Sequence, residues 1–175
     1  PTNSNVIYLA TSSGVYKSTN AGNSWNNIRN GNVRDIDMKP GSPNVLYAVT
    51  SSDFFITTDS GTNWNTIATG LPNTSGRLAI ATTAANASYV YVLSATTGNA
   101  FQGVYRSINS GTSFTAMNTT TDIFESTQAW YDMAIAASQT NANEIVTGVL
   151  NLWKSFNVIS FFIDIIVKFS KAIKG

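Results

Sequence analysis

Short apolar runs, separated by clusters of Gly, Pro, Asn and Ser, fill most of the chain. That punctuation marks strands and tight turns, not helices. The residues Val45 to Thr50 and Phe54 to Thr58 read as strands with two different faces. The runs also repeat. Asn5-Val6-Ile7-Tyr8-Leu9-Ala10-Thr11-Ser12-Ser13 returns as Asn44-Val45-Leu46-Tyr47-Ala48-Val49-Thr50-Ser51-Ser52, 39 residues later. Ser18-Thr19-Asn20-Ala21-Gly22-Asn23-Ser24-Trp25 returns as Thr57-Thr58-Asp59-Ser60-Gly61-Thr62-Asn63-Trp64 at the same offset. A third copy runs from Tyr89-Val90-Tyr91-Val92-Leu93 to Ser107-Ile108-Asn109-Ser110-Gly111-Thr112-Ser113-Phe114, with about six extra residues between its blocks. A fourth begins at Glu144-Ile145-Val146 and reaches Leu152-Trp153-Lys154-Ser155.

A further strand-like block precedes each of the later copies: Arg34-Asp35-Ile36-Asp37-Met38, Arg77-Leu78-Ala79-Ile80 and Tyr131-Asp132-Met133-Ala134-Ile135. Four short strands per unit of roughly 40 residues predict an all-β propeller blade. The chain holds three to four such blades, and the first lacks its innermost strand. Closed propellers take about four to eight blades. The expectation is therefore an incomplete propeller that closes with further blades or by self-association.

Composition narrows the chemistry. Ser, Thr and Asn supply 62 of the 175 residues, and only 11% are charged, so neutral hydroxyls and amides keep the surface wet. With neither cysteine nor histidine, disulfide scaffolds, thiol catalysis, Ser-His-Asp triads and HExxH metal sites are excluded. No metal site and no cofactor are expected. Ten basic residues balance nine acidic ones, which gives no reason to expect nucleic acid as a partner. The chain starts at Pro1 without a leader, which reads as processing or a fragment. The sequons at Asn73, Asn86 and Asn118 are what this composition produces by chance.

The second repeated block, Ser/Thr-x-Asp/Asn-x-Gly-x-x-Trp/Phe, resembles the Asp-box or BNR repeat. That repeat is shared by sialidases, sortilin-type receptors, xyloglucan-cleaving glycosidases and many secreted bacterial propellers. The resemblance covers residues 1 to about 155. The phrases Gly14-Val15-Tyr16-Lys17-Ser18 and Asn151-Leu152-Trp153-Lys154-Ser155 also resemble surface proteins of Bacteroidetes that use a gliding-type secretion system. The resemblance implies a secreted or cell-surface bacterial protein. It also implies a structural box formed by Ser18, Asn20, Gly22 and Trp25, by Thr57, Asp59, Gly61 and Trp64, and by Ser107, Asn109, Gly111 and Phe114. Turn chemistry agrees: the Asp or Asn side chain accepts from backbone N–H groups of its own turn, and Gly supplies positive φ.

The loops leading into the innermost strands share a face with the loops between second and third strands, and the boxes lie on the opposite face. The longest irregular segments, 95–103 and 118–129, fall on the first face, the expected binding side. Candidate ligand-binding residues there are Arg34, Arg77, Phe101, Phe124, Trp130 and Tyr131, aromatic and charged groups suited to glycan or surface-protein partners. No complete catalytic set is expected. A sialidase needs three converging arginines, and of the four here Arg106 sits beside a box and Arg29 ends an outer strand. Asp35 and Asp132, at matching places in two blades, are the weak candidates for a two-carboxylate glycosidase. The reading is a binding or scaffolding module, with a fragment of a sialidase-like or xyloglucanase-like glycoside hydrolase as the alternative.

Composition changes after Ser155. Residues 156–175 contain no Thr and are mostly Phe, Ile, Val and Lys. Ile159, Phe162, Ile166, Phe169 and Ile173 recur at helical spacing, with Lys168, Lys171 and Lys174 mostly to one side. Two readings remain: a basic amphipathic helix touching a membrane or the open propeller edge, or a non-native end produced by truncation or frameshift.

Overall fold

The computed structural model describes residues 3–155 and the strand Phe162–Asp164. The first sheet holds β1 (Ile7–Thr11), β2 (Gly14–Ser18) and β3 (Asn26–Asn30), in that spatial order. The second is β4 (Asp35–Met38), β5 (Leu46–Val49), β6 (Phe54–Thr57) and β7 (Asn65–Ile67). The third is β8 (Arg77–Thr82), β9 (Val90–Ala95), β10 (Phe101–Ser107) and β11 (Thr115–Asn118). A one-turn helix, α1 (Ala129–Asp132), leads to the fourth: β12 (Ala134–Ala137), β13 (Ile145–Gly148), β14 (Leu152–Ser155) and β15 (Phe162–Asp164). Every sheet is an antiparallel meander, so each unit is a blade.

The innermost strands β4, β8 and β12 lie side by side. Among the described residues the first blade has no such strand, and β1 is its inner edge. The described residues form a partial β-propeller of three four-stranded blades and one three-stranded blade.

The core forms between blades, because each strand alternates its side chains between the two neighbouring blades. On β8, Leu78 and Ile80 point back toward blade two and join Tyr47, Val49, Phe54 and Phe114. Ala79 and Ala81 point forward and join Met133 and Ile145 of blade four. The faces of the second and third blades are buried almost throughout, from Leu46 to Val49 and from Val90 to Ala95. On β12 the forward-pointing Ala134 and Ala136 are exposed, with no further blade against them among the described residues.

Each box closes the turn between the third and fourth strands of its blade. In blade two, the buried Thr57 hydroxyl donates to Asp59 Oδ1 at 2.8 Å and accepts from Gly61 N at 3.0 Å. Asp59 Oδ1 also accepts from Asn63 N at 2.9 Å. Ser18 with Asn20, and Ser107 with Asn109, repeat this pattern. An amide oxygen is enough for the lock, which is why Asn replaces Asp in two of the three boxes. The turn needs two successive left-handed residues. Ala21, Ser60 and Ser110 adopt φ of 57°, 61° and 60°, and Gly22, Gly61 and Gly111 follow at 89°, 92° and 83°. At the second position the space for a Cβ is crowded in two of the three boxes. A Cβ on Gly61 would strike Ile28 of the preceding blade, and one on Gly111 would lie 3.0 Å from Tyr47.

The tail needs one correction. Phe162–Asp164 is a strand antiparallel to β14, not part of a helix, because the free edge of β14 offers it a ladder. The rest of the expected helix, including Ile159, Ile166, Phe169, Ile173 and the three lysines, lies outside the described residues. Among the described residues, no helix is long and apolar enough to cross a membrane.

Candidate functional site

The innermost strands expose one unpaired edge to the central channel. In the register of β8 against β9, the amides of Ile80 and Thr82 point away from β9. Two carboxylates from blade two meet them. Asp35 Oδ2 accepts from Ile80 N at 3.0 Å, while its Oδ1 accepts from Ile36 N at 2.9 Å. Asp37 Oδ2 accepts from Thr82 N at 2.9 Å and Thr82 Oγ1 at 2.8 Å, while its Oδ1 accepts from Met38 N at 2.8 Å. Each carboxylate is therefore a rung joining adjacent innermost strands. Burial is the main influence on Asp35 and pushes its carboxyl above the ordinary range, against the pull of the Ile80 and Ile36 amides.

This corrects the weak catalytic assignment of Asp35. Both its oxygens are spent on backbone amides, and the bond from Ile80 crosses from one blade to the next. Asp37, which does the same work, was missed. Two acids at alternate positions of an otherwise apolar strand were the available signal. The equivalent positions hold Ala79 and Ala81 in blade three, and Ala134 and Ala136 in blade four, so no periodicity points to them.

At the start of these strands a cavity of about 250 Å³ opens, lined by Arg34, Asp35, Arg77, Ala79, Met133 and Ala134 among others. Arg34 is exposed, and Arg77 is half-buried and donates through Nη1 to Ala129 O at 2.9 Å. That bond ties the guanidinium to α1. Burial first, and the charge of Arg34 second, pull the Arg77 guanidinium below its ordinary range, while Asp132 and Asp35 push it back. The four groups thus share one electrostatic neighbourhood. Asp132 is half-buried, and its Oδ1 is fully enclosed with no hydrogen-bond partner among the described residues. Trp130 and Tyr131 stand 64% and 75% exposed on the same helix, ring centroids 5.5 Å apart.

The two phenylalanines do not join them. Phe124 is 1% exposed, packed with Ile123, Ala129 and Met133, and Phe101 leans on it edge-on at 5.2 Å. Phe124 props the 118–129 loop from beneath and has no surface to offer a ligand, while Phe101 stays half-buried at its side. The loop also tightens itself: Asp122 Oδ1 accepts from Phe124 N at 2.8 Å, and Asn151 Nδ2 donates to Glu125 Oε2 at 2.7 Å. The other two arginines are clips between blades. Arg29 stacks on Phe55 at 3.6 Å, while Arg106 lies over Tyr89 at 4.8 Å and donates to Asn143 Oδ1 at 3.4 Å. Only Arg34 and Arg77 line the channel-mouth cavity. No cluster of acidic side chains able to hold a metal occurs among the described residues.

A family model described as Sortilin-Vps10 (sortilin, neurotensin receptor 3) matches residues 13–161. No curated protein matches by sequence. Among solved structures, an ancestral GH74 enzyme superposes with a TM-score of 0.70 at 22% identity, covering 93% of this chain and 24% of that one. The GH74 xyloglucanase from Xanthomonas campestris gives 0.63 at 11% identity, covering 91% and 27%. YCF48 bound to D1 peptide gives 0.59 at 14% identity, covering 91% and 51%. At these identities the likeness is one of fold. The chain spans about a quarter of the GH74 enzymes' length and about half of YCF48's.

Proposed function

Because the chain belongs to the Sortilin-Vps10 family, we propose that it is a binding or scaffolding module of a secreted or cell-surface bacterial protein. Its ligand sits on the channel mouth. The observation that carries this reading is the pair Arg34 and Arg77 lining one cavity, with Arg77 bonded to the Ala129 carbonyl of α1, the helix that carries the exposed Trp130 and Tyr131. Two guanidiniums in one neighbourhood favour an anionic group, and exposed rings favour the flat face of a sugar or the side chain of a peptide. An acidic glycan or an acidic segment of a surface protein meets both demands. YCF48 is a precedent of the same fold with a peptide bound, and the GH74 neighbours include a xyloglucanase.

The alternative, a piece of a glycoside hydrolase, draws on those GH74 neighbours and on Asp132. Its Oδ1 is enclosed with no hydrogen-bond partner among the described residues, and its charge acts on Arg77. A second acid would have to complete the pair.

The test is calorimetric titration with a xyloglucan oligosaccharide, an acidic oligosaccharide and an acidic peptide. Binding by one of the acidic ligands, weakened about tenfold or more by Arg34→Ala and by Trp130→Ala, supports the module; each exposed contact of this kind is worth about 1–2 kcal/mol. Binding unaffected by both substitutions refutes this site. Turnover of an oligosaccharide that disappears in Asp132→Asn favours the hydrolase.

A further inference from the structure

Trp130 and Tyr131 stand on α1, which has little of its own to hold it. The helix is a single turn of four residues. Two amides bond back to Gln128 O, Tyr131 N at 2.9 Å and Asp132 N at 3.4 Å. The Gln128 side chain forms no cap, and Met133 leaves the helix in an extended conformation with ψ of 123°. The two rings project into solvent and so bury little that would anchor the turn.

The last four carbonyls of an α-helix have no partner within it, and in a one-turn helix those are all of them. A cation at that end meets the need. The last turn of α1 has no basic residue and carries Asp132 instead. Arg77, 52 residues away on β8, supplies the cation through its bond from Nη1 to Ala129 O at 2.9 Å. Ala129 is 0% exposed, so water does not reach that carbonyl in place of Arg77. A buried carbonyl deprived of its donor destabilises the conformation that buries it.

The same guanidinium lines the channel-mouth cavity with Arg34. It carries five N–H donors, so the bond to Ala129 O leaves others for a group in the cavity. The charge of Arg34 works against that of Arg77. An anion in the cavity offsets this repulsion and fixes the guanidinium, and the side-chain freedom lost in doing so need not be lost again in holding α1.

We propose that Arg77 is a positioning residue: it holds α1 and couples the cavity to the aromatic turn. An anion in the cavity and a group stacked on Trp130 or Tyr131 then strengthen each other's binding, by the reciprocity of linked sites. The mouth thereby selects one molecule that carries both groups over two that carry one each. The coupling rests on the channel mouth being the ligand face, whereas the hold on α1 does not.

The test is residue-resolved amide hydrogen exchange of the full chain. Arg77→Met keeps the bulk of the side chain and removes its donors. It should speed exchange at Tyr131 and Asp132 by about tenfold or more, the effect of losing one hydrogen bond to a charged group. Ala79 and Ala81, whose amides face β9, should stay within about threefold, and Arg34→Ala should leave α1 within the same limit. Inorganic sulfate is the anion probe, raised to saturation. It should slow exchange at Tyr131 and Asp132 of the wild type, leave the box amides of Gly61 and Asn63 unchanged, and have no effect on α1 of Arg77→Met. Equal exchange at α1 in wild type and Arg77→Met would overturn the proposal. So would equal acceleration at Ala79 and Ala81, which would make Arg77 a general brace of the blade. Sulfate protection around Arg34 alone would leave the cavity an anion site and overturn the coupling. No response to sulfate anywhere would count against the anion site of the proposed function and overturn the coupling with it, while the Arg77→Met comparison still decides the hold on α1.

Discussion

Replacing Asp37 with Ala isolates the rung between blades two and three. Alanine fits the site, because Ala81 and Ala136 hold the equivalent positions of the next two blades. The change removes three hydrogen bonds, of which those from Thr82 N at 2.9 Å and Thr82 Oγ1 at 2.8 Å cross between blades. A bond to an ionised acceptor contributes about 1.5–3 kcal/mol. Asp37 is only half-buried beside the channel, so water recovers part of that on its removal. Discounting the two cross-blade bonds by about half leaves a loss of about 2 kcal/mol. With a urea m-value of about 2 kcal/mol/M, the unfolding midpoint should fall by about 1 M with no change in slope. Asp37→Asn keeps one acceptor oxygen and should recover about half of the loss. A shift under about 0.5 kcal/mol for Ala, or identical midpoints for Ala and Asn, would refute the rung.

Gly61→Ala should destabilise by about 2–4 kcal/mol, since it forces a left-handed Ala and drives a Cβ into Ile28. Gly22→Ala, with only Trp25 nearby at 3.6 Å, should cost about 1 kcal/mol, and thermal unfolding compares the two. Asp59 is held at about 2, below its ordinary 3.8, chiefly by the Asn63 backbone N–H. A depressed carboxyl adds stability that is fully present above 3.8 and is lost as pH falls through about 2. Acid titration of Asp59→Asn, which copies the other two boxes, should therefore show a shallower loss of stability over that window. Phe124→Ala should cost about 3–5 kcal/mol by leaving a cavity under the 118–129 loop, read as a lower denaturation midpoint. An exposed ligand-contact residue would show no such loss.

The blades were legible because their turn chemistry repeats. Thr57, Asp59, Gly61 and Trp64 recur with the same spacing as Ser18, Asn20, Gly22 and Trp25, and the hydroxyl and the Asp or Asn do their hydrogen bonding inside their own turn. The missing innermost strand of blade one was legible by subtraction. Contacts between blades were not. Asp37 reaches Thr82, 45 residues away, through a geometry that depends on how two sheets stack. Phe124 was misplaced for a related reason. An aromatic residue in a long polar loop looks exposed in sequence, yet here it turns inward between Ile123 and Met133. At the mouth, the place of Arg34 just before its innermost strand was readable from the repeat, whereas the helical turn that carries Tyr131 in place of a strand start, and the bond from Arg77 to the carbonyl of Ala129, required the fold. At Phe162 the helical spacing competed with an open sheet edge, and the edge prevailed.

The central claim is that ligands meet the channel mouth and not the box face. Hydrogen exchange of the whole chain, free and with the acidic glycan or peptide found by titration, tests it directly. The account predicts slowed exchange around Arg34, Arg77 and Trp130–Tyr131, with the turns at 20–24, 59–63 and 109–113 unchanged. Slowed exchange at those turns, with the mouth unaffected, would contradict it.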